Sequence, residues 1–155
     1  MIREAYSMWP QYNRRLRDVI AEMSDDQLAI RPAPDLLPIW ATVGHTASMR
    51  TYWLCDVAGE PGADQTPVWN GETVDWADDL DHPRASEELV EALHTTFGIV
   101  EDCLDRWTPD MLEDTVTREY GGTRQVHTRS SILQRILTHE AYQATIGLPT
   151  TLDND

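Results

Sequence analysis

Two histidines stand where histidine is costly. His45 lies in Val43-Gly44-His45-Thr46-Ala47 and His139 in Leu137-Thr138-His139-Glu140-Ala141, each in the middle of an apolar run with helical spacing. A neutral imidazole buried without partners loses its hydration, so it needs a hydrogen-bond partner or an ion. Zinc and similar ions accept imidazole nitrogen, and catalytic sites combine three protein ligands with an open water position. The run His139-Glu140-Ala141-Tyr142-Gln143 has the form of H-E-x-x-H with its last histidine replaced by glutamine. A residue four positions on shares the helix face of His139. Gln143 keeps an oxygen there, although a neutral amide is a poor ligand for a borderline metal. The candidate metal set is therefore His45, His139 and Gln143. Glu140 has two readings, an orienting group or base for the site and a solvated helix residue. A zinc-protease reading is weak without the second histidine of the motif.

The other three histidines read as structural. His82 lies beside Pro83 in a loop, and His94 falls near the edge of an apolar helical stripe. His127 precedes His139 by about 18 Å of helix, were the helix to reach so far, and cannot share a ligand shell with it that way. Cys55 and Cys103 each sit in an apolar helical run. Two such cysteines make no disulfide framework and read as small hydrophobes in a reduced, cytoplasmic protein.

Four long helices must position these residues. The first spans about Ile2 to Met23, with Tyr6, Trp9, Leu16, Ile20 and Met23 on one stripe, and Pro10 predicts a kink or a later start. Ser24-x-x-Gln27 is a capping box for a short helix around Asp25–Ile30. The second long helix runs from about Pro38 to Ala58 and stops at Gly59 and Pro61-Gly62. Residues 60 to 82 form a long loop with Trp69 and Trp76, which either wall a pocket or, the better reading, pack the loop onto the helices. The third runs from about Ser86, taken as N-cap, to Arg106, with Leu89, Leu93, Phe97, Val100 and Leu104 buried. Thr115 to Val126 suggests a small hairpin around Gly121-Gly122. The fourth runs from about Arg129 to Ile146, capped by Thr128 and ended by Gly147 and Pro149. The pattern predicts an all-α four-helix bundle with a long crossover loop, one domain over 1–150, and a frayed polar tail at 151–155.

The chain has 155 residues, 12 basic and 27 acidic, for a net charge of −15, and every basic residue is an arginine. A protein that tracks phosphates needs a cationic stripe, so nucleic acid is an unsuitable partner, as is an anionic membrane surface. No run approaches the eighteen or so apolar residues of a membrane span, and the N-terminus has no secretory pattern.

The sequence resembles the DinB/YfiT-like metalloenzyme family over most of its length. The resemblance rests on Ile39-Trp40-Ala41-Thr42-Val43-Gly44-His45, Tyr52-Trp53-Leu54, Gly59-Glu60-Pro61-Gly62, and Ser131-Ile132-Leu133-Gln134-Arg135-Ile136-Leu137-Thr138-His139-Glu140-Ala141-Tyr142-Gln143. It implies a helical bundle, often dimeric, with one metal histidine in the second helix and two, four residues apart, in the last. The first two fall on His45 and His139, and the third falls on Gln143, where this sequence departs. It also implies a divalent metal, zinc or nickel. The implied chemistry is thiol-dependent transfer or isomerisation of a small molecule, with bacillithiol, mycothiol or glutathione as the thiol. The metal would lower the thiol's pKa. Two other readings stay open. One is a degenerate, non-catalytic member that binds a small ligand or dimerises. The other is a helical scaffold with satisfied core histidines.

Overall fold

Pro10 decides where the first helix begins. In the computed structural model, which describes residues 1–147 and side chains through Ala144, a 3-10 turn at Arg3–Tyr6 precedes helix α1 (Trp9–Ala21). Proline occupies the first turn of α1, where its missing N–H has no intrahelical partner to lose. The continuous helix expected from Ile2 is therefore replaced by a later start. The capping box forms as expected at α2 (Asp25–Leu28). The Gln27 N–H donates to Ser24 Oγ at 3.2 Å, and the Ser24 N–H to Gln27 Oε1 at 2.9 Å.

Helix α3 (Ile39–Thr51) is buried nearly all round, as its sequence density requires, and it does not end where the α-helical hydrogen bonds do. Its last stretch, Tyr52–Val57, continues as π-helix, with the Ala58 N–H reaching back to Trp53 O at 3.1 Å. Such wide turns shift the phase of the side chains and recur near functional sites. Gly59 then takes a φ of +75°, the left-handed geometry that ends a helix.

The loop that follows is tied down. Short 3-10 turns form at Ala63–Gln65 and Trp76–Asp78, and Trp69 bridges to Thr73. Trp76 is buried in the core cluster that includes Ile39, Trp40 and Val43, as the packing reading of the loop tryptophans holds for it. Helix α4 (Ser86–Arg106) buries Leu89, Leu93, Phe97, Val100 and Leu104. Burial of each such side chain contributes about 1.5–3 kcal/mol. Ala85, rather than Ser86, is its N-cap. The free Ala85 N–H is met by Glu88 Oε2 at 2.9 Å, so the reaching-back acid does what a capping hydroxyl would.

Strands β1 (Thr115–Tyr120) and β2 (Thr123–Thr128) pair antiparallel, Tyr120 opposite Thr123, around Gly121 and Gly122, both at positive φ. Helix α5 (Arg129–Gly147) follows at once. Thr128 Oγ1 accepts from the Ser131 N–H and Ser131 Oγ from the Thr128 N–H, both at 3.0 Å. The described residues are thus mostly helical with one small two-stranded sheet. The expected stop at Pro149 and the polar tail 151–155 lie outside the described residues. Among the described residues no helix is long and apolar enough to cross a membrane.

Helix α4 packs against α1 and α3, and α3 against α5. One buried ion pair joins these helices. Arg50 on α3 is 0% exposed; its Nε donates to Glu140 Oε1 on α5 at 2.5 Å and its Nη1 to Leu93 O on α4 at 3.0 Å. Trp9 Nε1, on α1, donates to Glu140 Oε2 at 2.9 Å. Removing one partner of such a pair costs about 3–5 kcal/mol, because the other charge is left buried and uncompensated.

Candidate metal centre

The packing of α3 on α5 brings His45 and His139 together. Their Nε2 atoms are 3.2 Å apart and the rings meet edge to face, with centroids 4.8 Å apart. Four residues further along α5, Gln143 places its side-chain amide nitrogen 3.3 Å from His139 Nε2. His139 Nε2 is thus approached by both other candidate residues. His45 and His139, but not Gln143, line a cavity of about 760 Å³ formed by residues of α3, the π-helical segment, the loop, the hairpin and α5.

The loop supplies a fourth member that sequence reasoning missed. His45 Nδ1 donates to Asp75 Oδ2 at 2.5 Å. A carboxylate on Nδ1 fixes the tautomer and ring orientation and leaves the Nε2 lone pair free. Asp75 is itself held, because its Oδ1 accepts the Ala77 N–H at 3.0 Å at the start of the Trp76–Asp78 turn. Gly44 allows this approach. A Cβ there would stand 3.0 Å from Trp76 Cβ and 3.3 Å from Trp76 Cε3. The glycine thus admits the loop's indole rather than a neighbouring helix. Trp76 does not line the cavity; Tyr52 and Trp53 of the π-helical segment do.

Among the described residues the imidazole pair lacks a full set of partners. With a neutral His45 donating through Nδ1 to Asp75, His45 Nε2 carries a lone pair. If His139 Nε2 donates to it, His139 Nδ1 is left as a buried acceptor without a partner. If instead His139 Nδ1 carries the proton, that N–H has no acceptor among the described residues and two lone pairs oppose each other at 3.2 Å. Either state costs free energy. A divalent ion between the rings removes the lone-pair conflict. Two nitrogens on one tetrahedral zinc at its usual bond length stand about 3.3 Å apart, close to both spacings seen here. Burial, and then the neighbouring His45, hold the His139 pKa below its ordinary value and favour the neutral, ligating form.

The donor set thus fits an ion held by two imidazoles, with an amide oxygen available from Gln143 after a half-turn of its terminal group. Among the described residues no group of three or more His, Cys, Asp or Glu is arranged to hold a metal ion. Glu140 takes no part, since Arg50 and Trp9 occupy its two oxygens. It is neither of the two things its sequence position suggested.

The remaining histidines lie elsewhere. His82 pairs with Asp79 and His94 with Arg17, both at exposed positions. His127, on β2, packs edge-on against Trp53 with centroids 5.1 Å apart. Neither cysteine offers an activated thiol. Burial, then Asp56, pushes the Cys55 thiol up to about 11, and burial, then Glu60, pushes Cys103 to about 12.

A family model described as the DinB superfamily matches residues 11–144. No curated protein and no solved structure matches the chain. Since the family match takes in α3, the loop carrying Asp75 and α5 through Gln143, the chain belongs to the DinB superfamily.

Proposed function

We propose that this chain is a metal-dependent enzyme, and that a divalent ion, zinc or nickel, is held by His45, His139 and the amide oxygen of Gln143. The observation that carries the reading is the 3.2 Å approach of the two Nε2 atoms, with Asp75 fixing the His45 ring behind them. The reaction class is thiol-dependent S-transfer or isomerisation of a small molecule. Such an ion supplies Lewis acidity, which lowers the pKa of a bound thiol or water. The chain's residues do the rest. Asp75 orients His45, the Arg50–Glu140 pair fixes α3 against α5, and Tyr52 and Trp53 wall the cavity. A cavity of about 760 Å³ suits a small-molecule ligand. Since both cysteines are held protonated, the thiol in this reading comes from a low-molecular-weight co-substrate. We read α1, α3, α4 and α5 as a four-helix bundle, and the active form as a cytoplasmic homodimer.

One observation favours a second reading. The Gln143 amide nitrogen stands 3.3 Å from His139 Nε2 and can donate to the lone pair of a neutral His139, so His45, His139 and Gln143 can also form a polar ligand pocket in a member without catalysis. Position 143 separates the two. In Gln143→His, zinc affinity measured by chelator competition should rise at least tenfold, because a third imidazole completes the set. No gain would contradict the proposed geometry.

A further inference from the structure

The cavity that opens from the imidazole pair contains two arginines with no acidic partner. Five other guanidiniums meet carboxylates, Arg3 with Asp105, Arg50 with Glu140, Arg84 with Glu88, and Arg106 and Arg129 with Glu60, while Arg17 bonds to His94 and Arg31 to the Leu36 carbonyl. In a chain of net charge −15, acids are plentiful. Yet among the described residues neither Arg118 on β1 nor Arg135 on α5 has a carboxylate within ion-pair distance. Both lie over the same ring. The guanidinium carbons are 4.2 Å (Arg118) and 4.8 Å (Arg135) from the Trp53 centroid.

Arg118 is held by neutral groups only. Its Nε donates to Gln125 Oε1 at 2.8 Å and its Nη1 to Tyr52 Oη at 2.9 Å, with Tyr120 against its face at 4.5 Å. These contacts fix the plane of the guanidinium, and among the described residues no carboxylate compensates its charge and no acceptor meets its Nη2. Arg135 stands four residues before His139, hence one turn away on the same face of α5. Arg135, His139 and Gln143 thus form one stripe. The lining's carboxylates, Asp75 and Asp78, both come from the loop, so the cavity is polarised. His127, beside Trp53, registers the same field: burial first, then Arg135 and Arg118, hold its pKa below the ordinary value.

We propose that Arg118 and Arg135 form a carboxylate subsite. The substrate is then a small carboxylic acid, anchored on the two guanidiniums with its reacting end toward His45 and His139. This rests on the reading of the cavity as the active site. The planar guanidinium matches a carboxylate through paired N–H···O bonds, and the stacked aromatic rings cut the entropy lost on binding. A cation also draws an anionic substrate against the repulsion of the whole protein's charge.

The test is calorimetric titration with phenylacetate and with its uncharged counterpart phenylacetamide, on protein as purified and after chelator treatment. Wild type should bind the acid at least tenfold more tightly than the amide, with or without chelator. Arg135→Gln, at an exposed position, should keep its circular dichroism and lose most of that preference. Arg118→Gln with Arg135→Gln should abolish it, and Arg135→Lys should restore only part. Equal affinity for acid and amide, no binding of the acid, or a preference that survives both substitutions would overturn the proposal. A preference confined to metal-loaded protein would place the anion on the ion instead, and would also overturn it. Absence of metal from the wild type would contradict the proposed function while leaving an arginine-dependent preference intact.

Discussion

His45 donates through Nδ1 to Asp75 across thirty residues of sequence, and that bond aims its Nε2 at His139. The carboxylate comes from a loop, the imidazole from a helix, and Gly44 beside the imidazole lets the loop sit close enough for the two to meet.

Loss of the Asp75 carboxylate should weaken metal binding without unfolding the protein. Asp75→Asn keeps the shape but frees the tautomer and ring of His45. Partners of this kind typically contribute 10–100-fold to metal affinity. Zinc affinity by chelator competition should fall by about that factor, with the thermal unfolding midpoint of the metal-free protein nearly unchanged. An unaltered affinity would mean that Asp75 does not orient His45.

Gly44→Ala separates helix propensity from site geometry. Alanine favours a helix interior by about 0.5–1 kcal/mol over glycine. Its methyl group would nevertheless meet Trp76 Cβ at 3.0 Å, so the loop must retreat and carry Asp75 with it. The expected outcome is stability within about 1 kcal/mol of wild type and a loss of zinc affinity resembling that of Asp75→Asn. If affinity is retained, the loop yields without moving Asp75.

Glu60 should set part of the acid limit of stability. Burial alone would push its carboxyl up, but bonds from Arg106, Arg129 and Trp107 outweigh burial and hold it below the ordinary carboxylate value. A depressed folded-state pKa contributes stability that is present above the unfolded value, near pH 4.3, and is lost as pH falls through the folded value. Urea midpoints should therefore show a shallower decline below about pH 4 in Glu60→Gln than in wild type, with the variant less stable at pH 7. Parallel curves would contradict this assignment.

The helices were readable because their apolar spacing and stop residues agree, as in α4, where all five expected core residues are buried. His45 and His139 could be paired in advance because each interrupts an apolar run. Asp75 could not, since a loop has no periodicity and its partner is thirty residues away. The role of Glu140 was hidden for the same reason, its partners Arg50 and Trp9 being 90 and 131 residues distant. The π-helical turns at Tyr52–Val57 carry the same composition as α-helix, so spacing alone did not reveal them. Arg135 did leave a trace, standing four residues before His139 on a face already marked as functional.

If the imidazole pair holds a metal ion, mass spectrometry of tag-free protein should find near-stoichiometric zinc or nickel in the wild type and little in His45→Ala. A wild type that retains no metal after dialysis against zinc and nickel, or a variant that retains as much, would contradict it.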